Sequence, residues 1–307
     1  MIGYYSLPFS AFFLDNIKIL MNLYTLKRPA KKTNNIIYNC PHSGENFPDG
    51  FFKNTDLDIN TLLLSSDSFV DELFSEASEN GSVIMSNNYS RSFIDTNREA
   101  FELDPSMFSG EITKNLNANS MKVKLGYGSI AKYAFTQLPI YKDKIPFQQA
   151  LDRLEKYYFP VHQQLNAIQN EDIENFGYSL LVDCHSMPSY EFLGQNSNLP
   201  LQPDIVLGDF HGRSCNSKIT EFLINHFRRY DLSVSTNSPF AGGYNTQHYG
   251  NPDLGKHAIQ IEIKKSLYMD EKERCINQFF EPVKIIMSLL CYHLGNEIEK
   301  ILGIEPK

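Results

Sequence analysis

Short runs of apolar residues alternate along this chain with longer stretches whose apolar positions recur every three to four residues. The short runs predict strands at 35–40, 82–86, 178–183, 204–207, 233–236 and 257–263. The longer stretches predict helices at 67–80, with Ser66 or Asp67 as cap and Gly81 as stop, and at 147–169, kinked at Pro160. Two more fall at 216–230 and at 271–301, the last interrupted at Pro282. Such alternation of strand and helix belongs to an α/β architecture: a central, mixed, mostly parallel sheet flanked by helices. No repeat, low-complexity tract or polar linker divides the chain, so residues 21–307 read as a single domain. Residues 1–20 read as an N-terminal extension, with Met21 as an alternative start.

Composition narrows the function classes. Of 307 residues, 42% are hydrophobic and 13% aromatic, enough to bury a substantial core. A net charge of −8 argues against general binding of nucleic acid or acidic membranes, because nothing neutralises phosphate in bulk. The basic clusters at residues 27–32 and 264–265 are short enough to be solvated edges. The apolar run 285–294 is too short to span a bilayer, and the first residues lack the basic start of a signal peptide. Five cysteines, at 40, 184, 215, 275 and 291, show no CxxC spacing, which favours a reducing, cytoplasmic location over a disulfide framework. Oligomeric state is not legible at this level.

Candidate chemistry gathers where strands end. His42 and Glu45 follow the first predicted strand in a loop shaped by Pro41, Gly44, Pro48 and Gly50. Alone, an HxxE pair is a weak metal signal. Loops at the carboxyl ends of parallel strands, however, are where open α/β sheets bind ligands. In YSLLVDCHSMPS, residues 178–189, an apolar strand ends in Asp183 and His185 follows at its tip. His42, Glu45 and His185 together give the His₂Glu count of a hydrolytic zinc site, and Asp183 can orient an imidazole. In residues 257–263, Ile259, Ile261 and Ile263 share one face while Gln260 and Glu262 share the other. A carboxylate in so apolar a strand is costly unless paired or working. Glu262 can therefore be a general base toward an attacking water, or half of an ion pair with an arginine. Arg91, Asp95, Asn97 and Arg98 crowd one loop, where guanidinium groups suit a substrate carboxylate or a developing oxyanion. A surface salt-bridge network is the alternative there. Residues 237–258 are rich in glycine, carry Tyr244 and His248, and read as a lid or substrate-contacting loop, or as a long irregular connection.

Taken together, these segments resemble the N-formylglutamate amidohydrolase family. The likeness rests on PHSG at 41–44, VDELF at 70–74, YSR…IDTNR at 89–98 and DCHSMPS at 183–189. It continues through DIVLGDFHG at 204–212, GGY…HYGNP…G at 242–255 and HAIQIEI…SLYMDE at 257–271, and covers roughly residues 22–300. The resemblance implies one α/β domain of the zinc carboxypeptidase-like (phosphorylase/hydrolase-like) kind. It implies one zinc ion per chain, or another divalent transition metal, and hydrolysis of an amide beside a free carboxylate. By matching position, His42, Glu45 and His185 would hold the metal and Glu262 would be the base. Asn97 and Arg98 would receive the substrate carboxylate, and Arg91 would take the oxyanion or a second carboxylate. Tyr244 and His248 are expected to contact substrate. Arg213 and the glycine turn at 124–133 depart from the family's pattern and are expected to border the pocket. The implied substrate is a small carboxylate, N-formyl-L-glutamate first. A carboxypeptidase-like or N-acyl amino acid amidase, or a non-catalytic domain binding a small carboxylate, are the alternatives.

Overall fold

The computed structural model describes residues 23–194 and 201–304; the expected 1–20 extension lies outside the described residues. Seven strands form one sheet: β1 (Tyr24–Lys27), β2 (Ile36–Cys40), β3 (Val83–Asn87), β4 (Ser179–Met187), β5 (Ile205–Gly208), β6 (Val234–Thr236) and β7 (Lys256–Lys264). Their order is β1-β3-β2-β4-β7-β5-β6. Strands β3, β2, β4 and β7 run parallel, β1 and β5 join antiparallel, and β6 lies parallel to β5. The sheet is thus mixed and mostly parallel, as the alternation predicts. Because β3 and β4 flank β2 on opposite sides, the chain leaves β2 in one direction and returns in the other, which opens a crevice at the strands' carboxyl ends.

Side chains alternate across each strand, so the two faces have separate fates. One face carries Tyr38, Val182, Ile259 and Ile261 and packs on the helices Ser217–Arg228 and Phe280–Leu302 through residues such as Phe227 and Leu290. The other carries Ile37, Val83, Leu181 and Ala258 and packs on the helix Phe159–Phe176 through Val161, Leu165 and Ile168. Toward the carboxyl ends this second face turns polar: Asn39 pairs with Asp183, Asp183 with Gln260 and His185 with Glu262 in strand register. A further apolar cluster, including Phe93, Ile130, Ala131 and Tyr158, belongs to the long connections between β2 and β4. Across a cleft from the polar strand ends stand Tyr127, Ala131, Tyr133 and Phe135.

Several elements differ from expectation, each for a local reason. The stretch 67–80 is not one helix but Val70–Leu73 followed by a 3-10 turn, Ser75–Ala77. Phe69 adopts a left-handed backbone (φ 66°) just before it, which leaves Asp67 outside any helix with its N–H donating to His42 O at 2.9 Å. Strand β4 runs on to Met187, so His185 lies within the strand rather than beyond its tip. The segment expected to be helix from 271 starts only at Phe280; Pro282 falls in its first turn, where a missing N–H is tolerated. Ahead of it Met269–Asp270 pairs with Cys275–Ile276. The 147–169 stretch is Phe147–Arg153, a π turn Leu154–Tyr158, and then Phe159–Phe176. All five cysteines are free thiols. No helix among the described residues is long and apolar enough to cross a membrane.

Candidate active site

Three elements deliver three buried side chains to one point. His42 lies two residues past the end of β2, His185 lies in β4, and Asp67 sits in the β2–β3 connection, held by its backbone bond to His42. One ligand-capable atom of each lies within 4.8 Å of the other two. Asp67 Oδ2 is 3.0 Å from His185 Nδ1 and 3.4 Å from His42 Nδ1. The His42 loop approaches its neighbours closely: a Cβ on Gly44 would stand 2.5–2.7 Å from the backbone of residues 87–89. Glycine is required there by space alone.

The opposite nitrogens of both imidazoles face carboxylates. His42 Nε2 lies 2.7 Å from Asp95 Oδ1, and His185 Nε2 lies 2.8 Å from Asp183 Oδ2. That leaves both Nδ1 atoms directed at Asp67, and His42 Nδ1 is a buried nitrogen without a hydrogen-bond partner. Two imidazoles, each oriented by a carboxylate on one nitrogen and converging with a third carboxylate through the other, are a donor set of the kind that can hold a metal ion. These residues therefore fit a divalent metal ion. Burial opposes charge on Asp95, but Arg91, Arg98 and His42 outweigh it and hold the carboxyl well below its usual range. Burial likewise opposes charge on His185, but Asp183 and Asp67 outweigh it and raise its pKa well above the usual range, so a metal ion bound at Nδ1 would displace a proton there.

Around this group opens a cleft of about 410 Å³ lined in part by Arg91, Asn97, Arg98, Gln260 and Glu262. Arg91 donates to Asp95 Oδ2 at 2.8 Å. Arg98 donates through Nε to Tyr127 O at 2.9 Å and through a terminal nitrogen to Asn97 O at 2.6 Å. Asn97 spans the site, donating to Asp183 Oδ2 at 3.2 Å and accepting from the Asn245 N–H at 2.8 Å. A Cβ on Gly243 would strike the Asn97 carboxamide at about 2.5 Å, so the glycine-rich loop is seated against it. Glu262 accepts from Gln260 Nε2 at 2.8 Å, and Gln260 in turn accepts from Gly243 N–H at 2.7 Å. Burial, with Asp67 adding to it against the pull of His185, raises the Glu262 carboxyl to about 7.

Not every expected residue arrives. Glu45 is half-exposed, paired with Arg274 and 3.4 Å from Ser68 Oγ, and it does not line the cleft. The Asn46–Tyr89 bridge lays the loop along the exit of β3, and Arg274 claims the Glu45 carboxylate, so Asp67 rather than Glu45 stands with the two histidines. Tyr244 and His248 are not at the cleft either. The 237–258 segment contains a short helix, Tyr244–Tyr249, on which their rings stack at 4.9 Å from each other. Arg213 covers the Phe210 ring at 3.8 Å and stays clear of the cleft, whereas Tyr127, Gly128, Ala131 and Tyr133 of the 124–133 turn do border it. Sequence reasoning missed Asp67, Lys122 and Lys265. The serine-flanked Asp67 before VDELF is the one with a local signal, since it lies where a helix cap was expected.

The described fold and site define an α/β protein with a buried His–Asp–His group in a basic cleft at the carboxyl edge of its sheet. Residues 34–269 match the N-formylglutamate amidohydrolase family, and the chain belongs to it. Among relatives, it is 29% identical over 241 residues to an N-formylglutamate deformylase of Pseudomonas putida, covering 78% of this chain and 83% of that protein. It is 27% identical over 213 residues to an N-formylglutamate deformylase of Pseudomonas aeruginosa, covering 68% and 73%. The crystal structure of N-formylglutamate amidohydrolase from Ralstonia eutropha JMP134 superposes with a TM-score of 0.85 at 28% identity, covering 91% of this chain and 99% of that one.

Proposed function

We propose that this chain hydrolyses the amide bond of an N-acyl amino acid, N-formyl-L-glutamate first, releasing formate and L-glutamate with the help of one divalent metal ion, zinc by preference. The observation that carries the reading is the convergence of His42 Nδ1, His185 Nδ1 and the Asp67 carboxylate, with Glu262 opposite His185 in strand register. His42, Asp67 and His185 would hold the ion, which when bound supplies Lewis acidity toward the amide carbonyl and the attacking water. Glu262 takes a proton from that water and returns it to the amide nitrogen as the C–N bond breaks, so formate and a free amine leave. A carboxyl raised to about 7 is matched to giving and taking a proton near neutral pH. Arg91 and Arg98 supply positive charge for the substrate carboxylate and the developing oxyanion, and Asn97 adds a carboxamide beside them.

The names of the Pseudomonas and Ralstonia relatives support the choice of substrate. Purified protein should carry about one zinc per chain and release formate from N-formyl-L-glutamate. Loss of turnover on chelation, with recovery on zinc addition, is expected. Formate release that survives complete metal removal would defeat the metal-assisted reading.

A further inference from the structure

The basic side chains lining the cleft are not equally engaged. Arg91 has Asp95, Arg98 has the Tyr127 and Asn97 carbonyls, and Lys265 donates to Ser66 O at 2.7 Å. Lys122 lines the same cleft, and its ammonium has no hydrogen-bond or ion-pair partner among the described residues. It stands on a short helix, Met121–Lys124, capped by Ser120, whose side chain accepts from Val123 N–H at 3.1 Å. The same segment continues to Tyr127, whose carbonyl is the anchor of Arg98 Nε. Lys122 and Arg98 are thus presented from one tied platform.

The charge balance there is unfinished. Lys122 is exposed at the rim of the cleft, where partial enclosure, and then the fields of Arg98 and Arg91, lower its ammonium, while Asp95 and Glu102 offset only part. Both Asp95 oxygens are already engaged, one by His42 and Asn97 N–H and the other by Arg91. The cleft lining carries Arg91, Arg98, Lys122 and Lys265 against Asp67, Asp95 and Glu262, and of the four cations Lys122 is the one whose charged group has no partner among the described residues. An anion bound beside Lys122 would offset the repulsion it feels from Arg98 and Arg91.

We propose that Lys122 is a specificity-determining residue that receives a second carboxylate of the substrate, making this cleft selective for dicarboxylic N-acyl amino acids over those with neutral side chains. The inference rests on the hydrolase reading above and deepens it by assigning the residue that selects the side chain. One carboxylate then falls to the arginines and the other to Lys122. Because the Lys122 ammonium makes no bond to another described residue and the Lys122 carbonyl, which accepts from Tyr127 N–H at 2.8 Å, is unaffected, removing the charge should leave the fold intact.

Calorimetry on the metal-loaded protein, with glutarate and butyrate as probes, tests this directly. The wild type should bind glutarate about tenfold or more tighter than butyrate, the range of one added charge-assisted bond. Lys122→Met should bring glutarate to the butyrate level without changing butyrate binding, and Lys122→Arg should restore most of the preference. With N-formyl-L-glutamate as substrate, KM should rise by a similar factor in Lys122→Met while kcat holds. An unchanged glutarate-to-butyrate ratio in Lys122→Met, equal loss for both probes, or no preference in the wild type would each overturn the assignment. The two readings fail separately. Selective glutarate binding without formate release would leave the subsite standing and remove the hydrolase, whereas turnover with an unchanged ratio in the variant would remove the subsite alone.

Discussion

Asp95 hydrogen-bonds a different side chain with each carboxylate oxygen: Oδ1 lies 2.7 Å from His42 Nε2, and Oδ2 accepts from Arg91 at 2.8 Å. A single buried group thereby fixes which nitrogen of His42 faces Asp67 and where a guanidinium meets the cleft. Neutralising it in Asp95→Asn should weaken metal binding by about 10- to 100-fold, the usual effect of losing the carboxylate behind a ligating histidine. Competition against a chelator of known affinity measures this. Unchanged metal affinity in a folded variant would show that Asp95 serves the arginines alone.

Asp67 and Glu45 are the two carboxylates proposed as third ligand, and their surroundings differ. Asp67 is buried with Oδ2 at 3.0 Å from His185 Nδ1, while Glu45 is half-exposed and paired with Arg274. Asp67→Asn is expected to lose most bound metal and nearly all turnover. Glu45→Gln should keep both, with at most a small change in stability, as is usual for an exposed ion pair. Metal content by mass spectrometry decides between them, and the reverse pattern would return Glu45 to the site.

Glu262 accepts a hydrogen bond from Gln260, an arrangement that a glutamine can reproduce through its own carbonyl oxygen. Glu262→Gln should therefore fold and keep its metal while kcat falls by about two decades or more, the size expected for loss of a general base. Residual activity within a few-fold of wild type would assign the base elsewhere.

Much of this was legible from residue pattern, and the misses share a cause. The alternation in β7 separated Ile259, Ile261 and Ile263 from Gln260 and Glu262, because a strand buried on both faces still sorts apolar from chemical positions with a period of two. His42 and His185 drew notice because each comes after a run of apolar strand residues, although His185 lies within β4 rather than past its end. Asp67 was hidden because its place beside the two histidines depends on the left-handed turn at Phe69 and a backbone bond to His42, neither of which local pattern encodes. Glu45 looked apt on spacing alone, but the loop's docking along β3 and a partner 229 positions away took it out of reach. Tyr244 and His248 were drawn to the site by their glycine-rich setting. Their short helix instead packs toward His162, and only its leading Gly243 and the preceding turn meet the cleft.

His162 joins that helix to the arginine loop and carries a pH dependence with it. It is buried, with Nδ1 2.7 Å from the Tyr249 hydroxyl and Nε2 3.0 Å from Thr96 O, next to Asn97. The neutral ring satisfies both contacts, Nε2–H donating to the carbonyl and Nδ1 accepting from tyrosine. Burial first, then nearby His248, lower its pKa to about 4. The unfolded chain binds a proton near its ordinary value of about 6.5, so between these values the unfolded state holds more protons. Stability contributed by the neutral ring is therefore complete above about 6.5 and declines as pH falls toward 4. At pH 5 the loss from this residue is on the order of 1–2 kcal/mol. Buried His257 and His226 shift in the same direction and add to it. His185 and Glu262, whose pKa values are raised when folded, act in the opposite sense in wild type and variant alike. Urea unfolding at pH 7 and pH 5 should therefore show wild-type stability falling by this amount relative to His162→Phe, whatever the variant's stability at pH 7. An equal pH dependence in the two proteins would mean that His162 is charged when folded and that its ties to Tyr249 and Thr96 are not those of a neutral ring.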